Sequence, residues 1–109
     1  MMTARSTPIY PAELLKVRNL LFTECMRRGY TIGDPPRPNV RELHRKILQS
    51  GAQIHQSTLN RILVLSRNTT TDSDYTLSPQ LKKALLTWLG VDEIELITMM
   101  NSSPEVPID

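Results

Sequence analysis

"VRELHRKILQSGAQIHQSTLNRIL", residues 40–63, carries two apolar stripes separated by a short break. Val40, Leu43 and Ile47 recur at spacings of three and four, which is one face of a helix, and Leu59, Ile62 and Leu63 do the same further on. Ser50 and Gly51 interrupt the pattern between them. Asn39, just before the stretch, is placed as an N-cap with Glu42 three residues on, the capping-box spacing. Two short helices joined by a turn are predicted. The second has an unusual outer side, because Gln56, Ser57, Thr58, Asn60 and Arg61 remain once the leucines and isoleucine face inward. Lys and Glu would serve solubility better. Amides, hydroxyls and a guanidinium are instead the side chains that read base edges and grip phosphates.

Working outward, Tyr10 to Gly29 reads as a preceding helix. Pro11 stands at its first turn, and Leu14, Val17, Leu21 and Cys25 form an inward stripe flanked by Leu20 and Met26. Arg27 and Arg28 fall in the last turn, where the helix dipole favours cations. "YTIGDPPRPN" follows, and its closely spaced prolines predict a stiff loop. Beyond the opening stretch, "SRNTTTDSDYT" reads as a polar surface loop. Ser78 then caps a helix with Pro79 at its first position and Leu81, Leu85, Trp88 and Leu89 inward. Asp92 caps a last short helix, with Glu95 at the capping-box position.

The expected architecture is therefore all-α: a compact five-helix domain with helices near 11–28, 40–50, 56–65, 79–89 and 93–100 and no strand. Residues 10–100 form the domain, between flexible ends at 1–9 and 101–109. Trp88 reads as core or as part of a dimer interface, and Met99 and Met100, after Ile94 and Ile97, as core or dimer contact.

Composition bounds the function. The 109 residues suit one domain, and a 39% apolar content with five aromatic side chains calls for an aliphatic core. The single cysteine forms no internal disulfide and fits a reducing cytosol. No apolar run approaches the ~20 residues of a membrane span. The N-terminal stretch also lacks the apolar segment of a signal peptide, so a soluble cytoplasmic protein is expected. The net charge of +2 hides an asymmetry: residues 1–70 hold 11 Lys/Arg against 4 Asp/Glu, and residues 71–109 hold 2 against 7. A basic body with an acidic end suits a nucleic-acid binder. His44, His55 and Cys25 lack the tight spacing of a zinc site, so no metal and no cofactor are expected. With no Gly-rich phosphate loop, paired carboxylates or activated nucleophile in the sequence, an enzyme is not expected.

The two motif helices have the order of a helix-turn-helix, in which the second helix places its N-terminal side chains in the major groove. "VRELHRKILQSGAQIHQSTLNRILVLSRN…LSPQLKKALLTWLGV" resembles the Xre-type regulators, the class of the lambda and Cro repressors, across roughly residues 40 to 91. The likeness lies in "QSTLNRIL", the polar loop after it, and the helix closing on "LLTWLGV". Two positions depart from the family pattern: His44 stands where a small residue is usual, and "QSGAQIH" is a longer turn. The resemblance implies a five-helix DNA-binding fold, a homodimer and transcriptional repression.

On this reading Gln56, Ser57, Thr58, Asn60 and Arg61 read bases in double-stranded DNA, and Arg37, Arg41, Arg45, Lys46 and Arg67 bind phosphates. The competing reading of the first group is an ordinary solvated helix face with Ser57 as a cap, and of Arg61 a surface ion pair. A function of another class is an antitoxin-like adaptor whose acidic C-terminal region binds a protein partner.

Overall fold

The computed structural model describes residues 12–63 and 79–106. Helix α1 spans Ala12–Arg28, β1 Thr31–Ile32, β2 Arg37–Pro38, α2 Val40–Gln49, α3 Gln56–Leu63, α4 Pro79–Leu89 and α5 Glu93–Ser102. The helices fall close to their expected bounds. Residues 64 and 65, expected to complete α3, lie outside the described residues, as does the Ser78 cap.

The proline loop is a correction. It holds a two-stranded antiparallel hairpin in which Thr31 pairs with Pro38 and Ile32 with Arg37, and the Asp34–Pro35 peptide bond is cis. Strands of two residues are too short to leave a period-two signature, so only the prolines were legible. The hairpin sets the approach to α2: the Tyr30 N–H donates to the Cys25 carbonyl, and the Asn39 N–H donates to the Tyr30 carbonyl, both at 2.8 Å. Asn39 then caps α2, its side chain accepting from the Glu42 N–H. Such a cap contributes about 1 kcal/mol.

Helix α1 is the central element and packs against α3, α5 and β2. Leu14, Val17, Leu20, Leu21 and Cys25 are buried as their spacing requires, whereas Met26 is exposed. Leu43 and Ile47 of α2, Leu59, Ile62 and Leu63 of α3, and Leu81, Ala84, Leu85 and Trp88 of α4 join the same core. Trp88 is thus a core residue, with the Arg28 guanidinium 4.9 Å from its ring centre. Asp92 caps α5 through the Glu95 N–H, and Lys82 of α4 pairs with Glu93. Leu96 and Met100 turn inward while Ile94 and Ile97 face out.

Helix α5 runs to Ser102, and the segment after it returns to α1, where Val106 is hydrogen-bonded to Arg18 and Asn19. The polar, proline-bearing composition of this segment gives no sign of a partner so distant in sequence. Among the described residues, no helix is long and apolar enough to cross a membrane.

Candidate nucleic-acid interface

The site is built on α2, the connection of residues 50–55, and α3. Ser50 ends α2 with its N–H on the Lys46 and Ile47 carbonyls and its hydroxyl on Ile47 at 2.6 Å. Gly51 follows with φ +97, a left-handed conformation that a residue with Cβ adopts at a cost. Ala52 and Ile54 are buried in the core. His44 Nε2 donates to the Ile54 carbonyl at 2.8 Å, tying the middle of α2 to the end of the turn. The carbonyl can only accept, so the Nε2 proton is fixed by its partner. His44 and the connection of residues 50–55 therefore meet in one contact that holds the turn to α2.

On α3 the residues separate by face. Leu59, Ile62 and Leu63 are buried, and Gln56, Ser57, Asn60 and Arg61 are exposed on the opposite arc. Thr58 departs from its predicted place. It lies half-buried at the edge of the polar arc, with its N–H donating to the His55 carbonyl at 3.1 Å. Four of the five predicted base-reading side chains thus share one outward surface.

The predicted phosphate-binding residues are more scattered. Successive helical residues turn by about 100°, which puts Arg41, His44 and Leu48 on one side of the buried Leu43–Ile47 stripe and Arg45 directly opposite it. Lys46 lies on the other side, its ammonium 5.9 Å from the Tyr30 ring centre. Arg45 is ion-paired with Glu42 on its own helix. Arg37 is exposed on β2, in the hairpin that packs against α1. Arg67 lies outside the described residues. Of the five, Arg41 lies on the side of α2 that carries His44, which bonds the turn before α3.

A cleft of about 290 Å3 opens where α2, the turn, α3 and α4 converge. Gln53, His55, Gln56 and Gln80 line it with His44 and Leu48. None of the described lining residues is acidic. Gln53, His55 and Gln80 were missed in the sequence. Gln80 sits 24 positions from Gln56, and only the packing of α4 on α2 brings it there.

Burial also shapes the electrostatics away from this face. Arg27 and Arg28 of the basic body both pair with Glu24, at 2.7 and 2.9 Å, and Arg18 is buried. One basic and one acidic residue, Arg18 and Glu24, are thus taken into the interior, which leaves the positive excess of the sequence count in place. Among the described residues no three His, Cys, Asp or Glu side chains gather as metal ligands.

Comparison with protein families, curated proteins and solved structures finds no match to this chain.

Proposed function

We propose that this protein is a sequence-specific double-stranded DNA-binding regulator of the helix-turn-helix type, with α3 as the reading helix. The reading is carried by one observation: α3 buries Leu59, Ile62 and Leu63 and presents Gln56, Ser57, Asn60 and Arg61 on the opposite arc. Gln and Asn pair bidentately with adenine and Arg with guanine, so this arc has base-reading chemistry on a firmly seated helix. On this reading Arg41, on the side of α2 that carries His44, and Arg45, on its outer face, supply the cations that meet phosphates. Repression follows from occupancy, because a homodimer bound to an inverted repeat at a promoter excludes polymerase. The test begins with a duplex selected from a random pool. Gln56→Ala and Asn60→Ala are each expected to cost about 1–3 kcal/mol on that duplex and far less on a scrambled one. Variants that keep full discrimination would remove α3 as the reader.

A second reading, a protein adaptor, draws on a different observation. Ile94 and Ile97, 78% and 52% exposed, lie one turn apart on α5 beside Asp92, Glu93 and Glu95. An acidic, partly apolar helix face suits a protein partner, and the same face would serve self-association. Ile94→Ser with Ile97→Ser separates the two roles: lost self-association with a lowered DNA affinity supports the dimeric regulator. Unchanged DNA binding with loss of a heterologous partner supports the adaptor.

A further inference from the structure

Ser103 ends α5 in an extended conformation, φ −72 and ψ 137, and the chain turns back along α1. Arg18 Nη1 donates to the Val106 carbonyl at 2.7 Å, and the Val106 N–H donates to Asn19 Oδ1 at 3.0 Å. Two adjacent side chains of α1 thus hold both polar backbone groups of one residue far along the chain. Both are deep in the protein, Arg18 4% and Asn19 8% exposed, and the Arg18 guanidinium also lies 5.8 Å from the Phe22 ring centre. Buried polar groups of this kind need partners, and here a peptide backbone supplies them.

The clasped segment contributes little side-chain burial of its own. Pro104 and Glu105 are exposed and Val106 is half-buried. What α1 engages is the backbone of Val106 rather than a particular side chain. The sequence brackets Glu105 and Val106 with Pro104 and Pro107, and prolines at that spacing favour an extended chain that loses little entropy on docking. Beside the segment lies an open cleft of about 260 Å3, lined in part by Leu15, Lys16, Asn19 and Met100 together with Ser103 and Glu105.

We propose that Arg18 and Asn19 form a peptide-binding site that takes an extended, proline-flanked backbone, filled in cis by the Ser103–Val106 segment of this chain. The occupancy is exchangeable, so a segment of the same chemistry enters by displacing the tail. The site lies on α1 and is independent of the DNA-binding reading.

The test uses the full-length chain with Val106→Pro, which removes the clasped N–H, and a fluorescent peptide of sequence SSPEVPID. The variant is expected to bind the peptide, and the wild-type protein to bind it about tenfold more weakly because the site is occupied. Adding Asn19→Ala to Val106→Pro should weaken binding by about tenfold again. Amide exchange gives a second readout that does not depend on the proline variant folding. In wild-type protein the Val106 N–H should be protected, and Asn19→Ala should abolish that protection while leaving the α1 amides unchanged. A folded Val106→Pro protein that ignores the peptide, or binds it equally well with Asn19→Ala, would overturn the site. Wild-type protein that binds as tightly as the variant, or an unprotected Val106 amide, would overturn its occupancy in cis.

Discussion

Glu24 is a buried carboxylate whose surroundings explain how α1 holds it. Burial alone would raise the pKa of its carboxyl, but hydrogen bonds and charge from Arg27 and Arg28 outweigh that and hold it below the ordinary value. A carboxylate with a depressed folded pKa contributes stability above its unfolded pKa, and that contribution disappears as pH falls through the folded value. Melts of wild-type and Glu24→Gln protein should therefore differ most near neutrality and converge in acid below the ordinary carboxylate range. A constant gap across that range would contradict the ion-pair account. Cys25, its neighbour, is fully buried, and its thiol is pushed up to about 12 by that burial first and by the Glu24 charge second, with Arg28 opposing. The thiol stays protonated and inert at neutral pH. Thiol reagents should label the protein only at the rate at which it unfolds, and rapid native-state labelling would refute this. Cys25 was legible in the sequence because it continues an apolar stripe. Glu24 was not, because a carboxylate at the edge of that stripe reads as surface until its two arginines close over it.

At the scale of elements, the turn between α2 and α3 decides how the candidate reading helix is aimed. His44→Ala removes the donor to the Ile54 carbonyl and should lower stability by about 1 kcal/mol, read as a shifted urea midpoint with an unchanged slope. The seating of α3 itself is a packing matter. Leu59→Ala should cost about 2–5 kcal/mol through the cavity it leaves, whereas Gln56→Ala on the outer arc should change stability by less than about 0.5 kcal/mol. Equal destabilisation by the two would mean that α3 is not anchored as described. The stripes and caps of α2 and α3 were readable because spacing and cap chemistry are local. The hydrogen bond from His44 was not, because it joins residues ten apart across a turn whose path no local signal specifies.

For the whole molecule, the distribution of charge is what matters to a polyanion. On the proposed reading, affinity for duplex DNA falls linearly with the logarithm of salt, and the slope reports the phosphates neutralised. Arg41→Ala and Arg45→Ala should each flatten the slope by about one. Lys46→Ala should leave it nearly unchanged, because that ammonium sits over Tyr30 on the opposite flank of α2. An equal effect of all three would place Lys46 on the binding face despite its position.

The helices, their caps at Asn39 and Asp92, the inward stripes and the polar arc of α3 were all legible along the chain. Each is set within a few residues, by helical period or by a side chain bonding a nearby backbone N–H. Tertiary packing settled the rest: the hairpin of residues 31–38, the joining of Gln80 to Gln53 and Gln56 in one cleft, and the clasp of Val106 by Arg18 and Asn19. Most of these depend on which elements pack together, and the hairpin is too short to carry a period. Helix phase sets the side of α2 that bears Lys46, but only the packing of Tyr30 and the turn shows what each side faces. Burial selects such partners over the whole chain, so their chemistry is invisible until the core has closed.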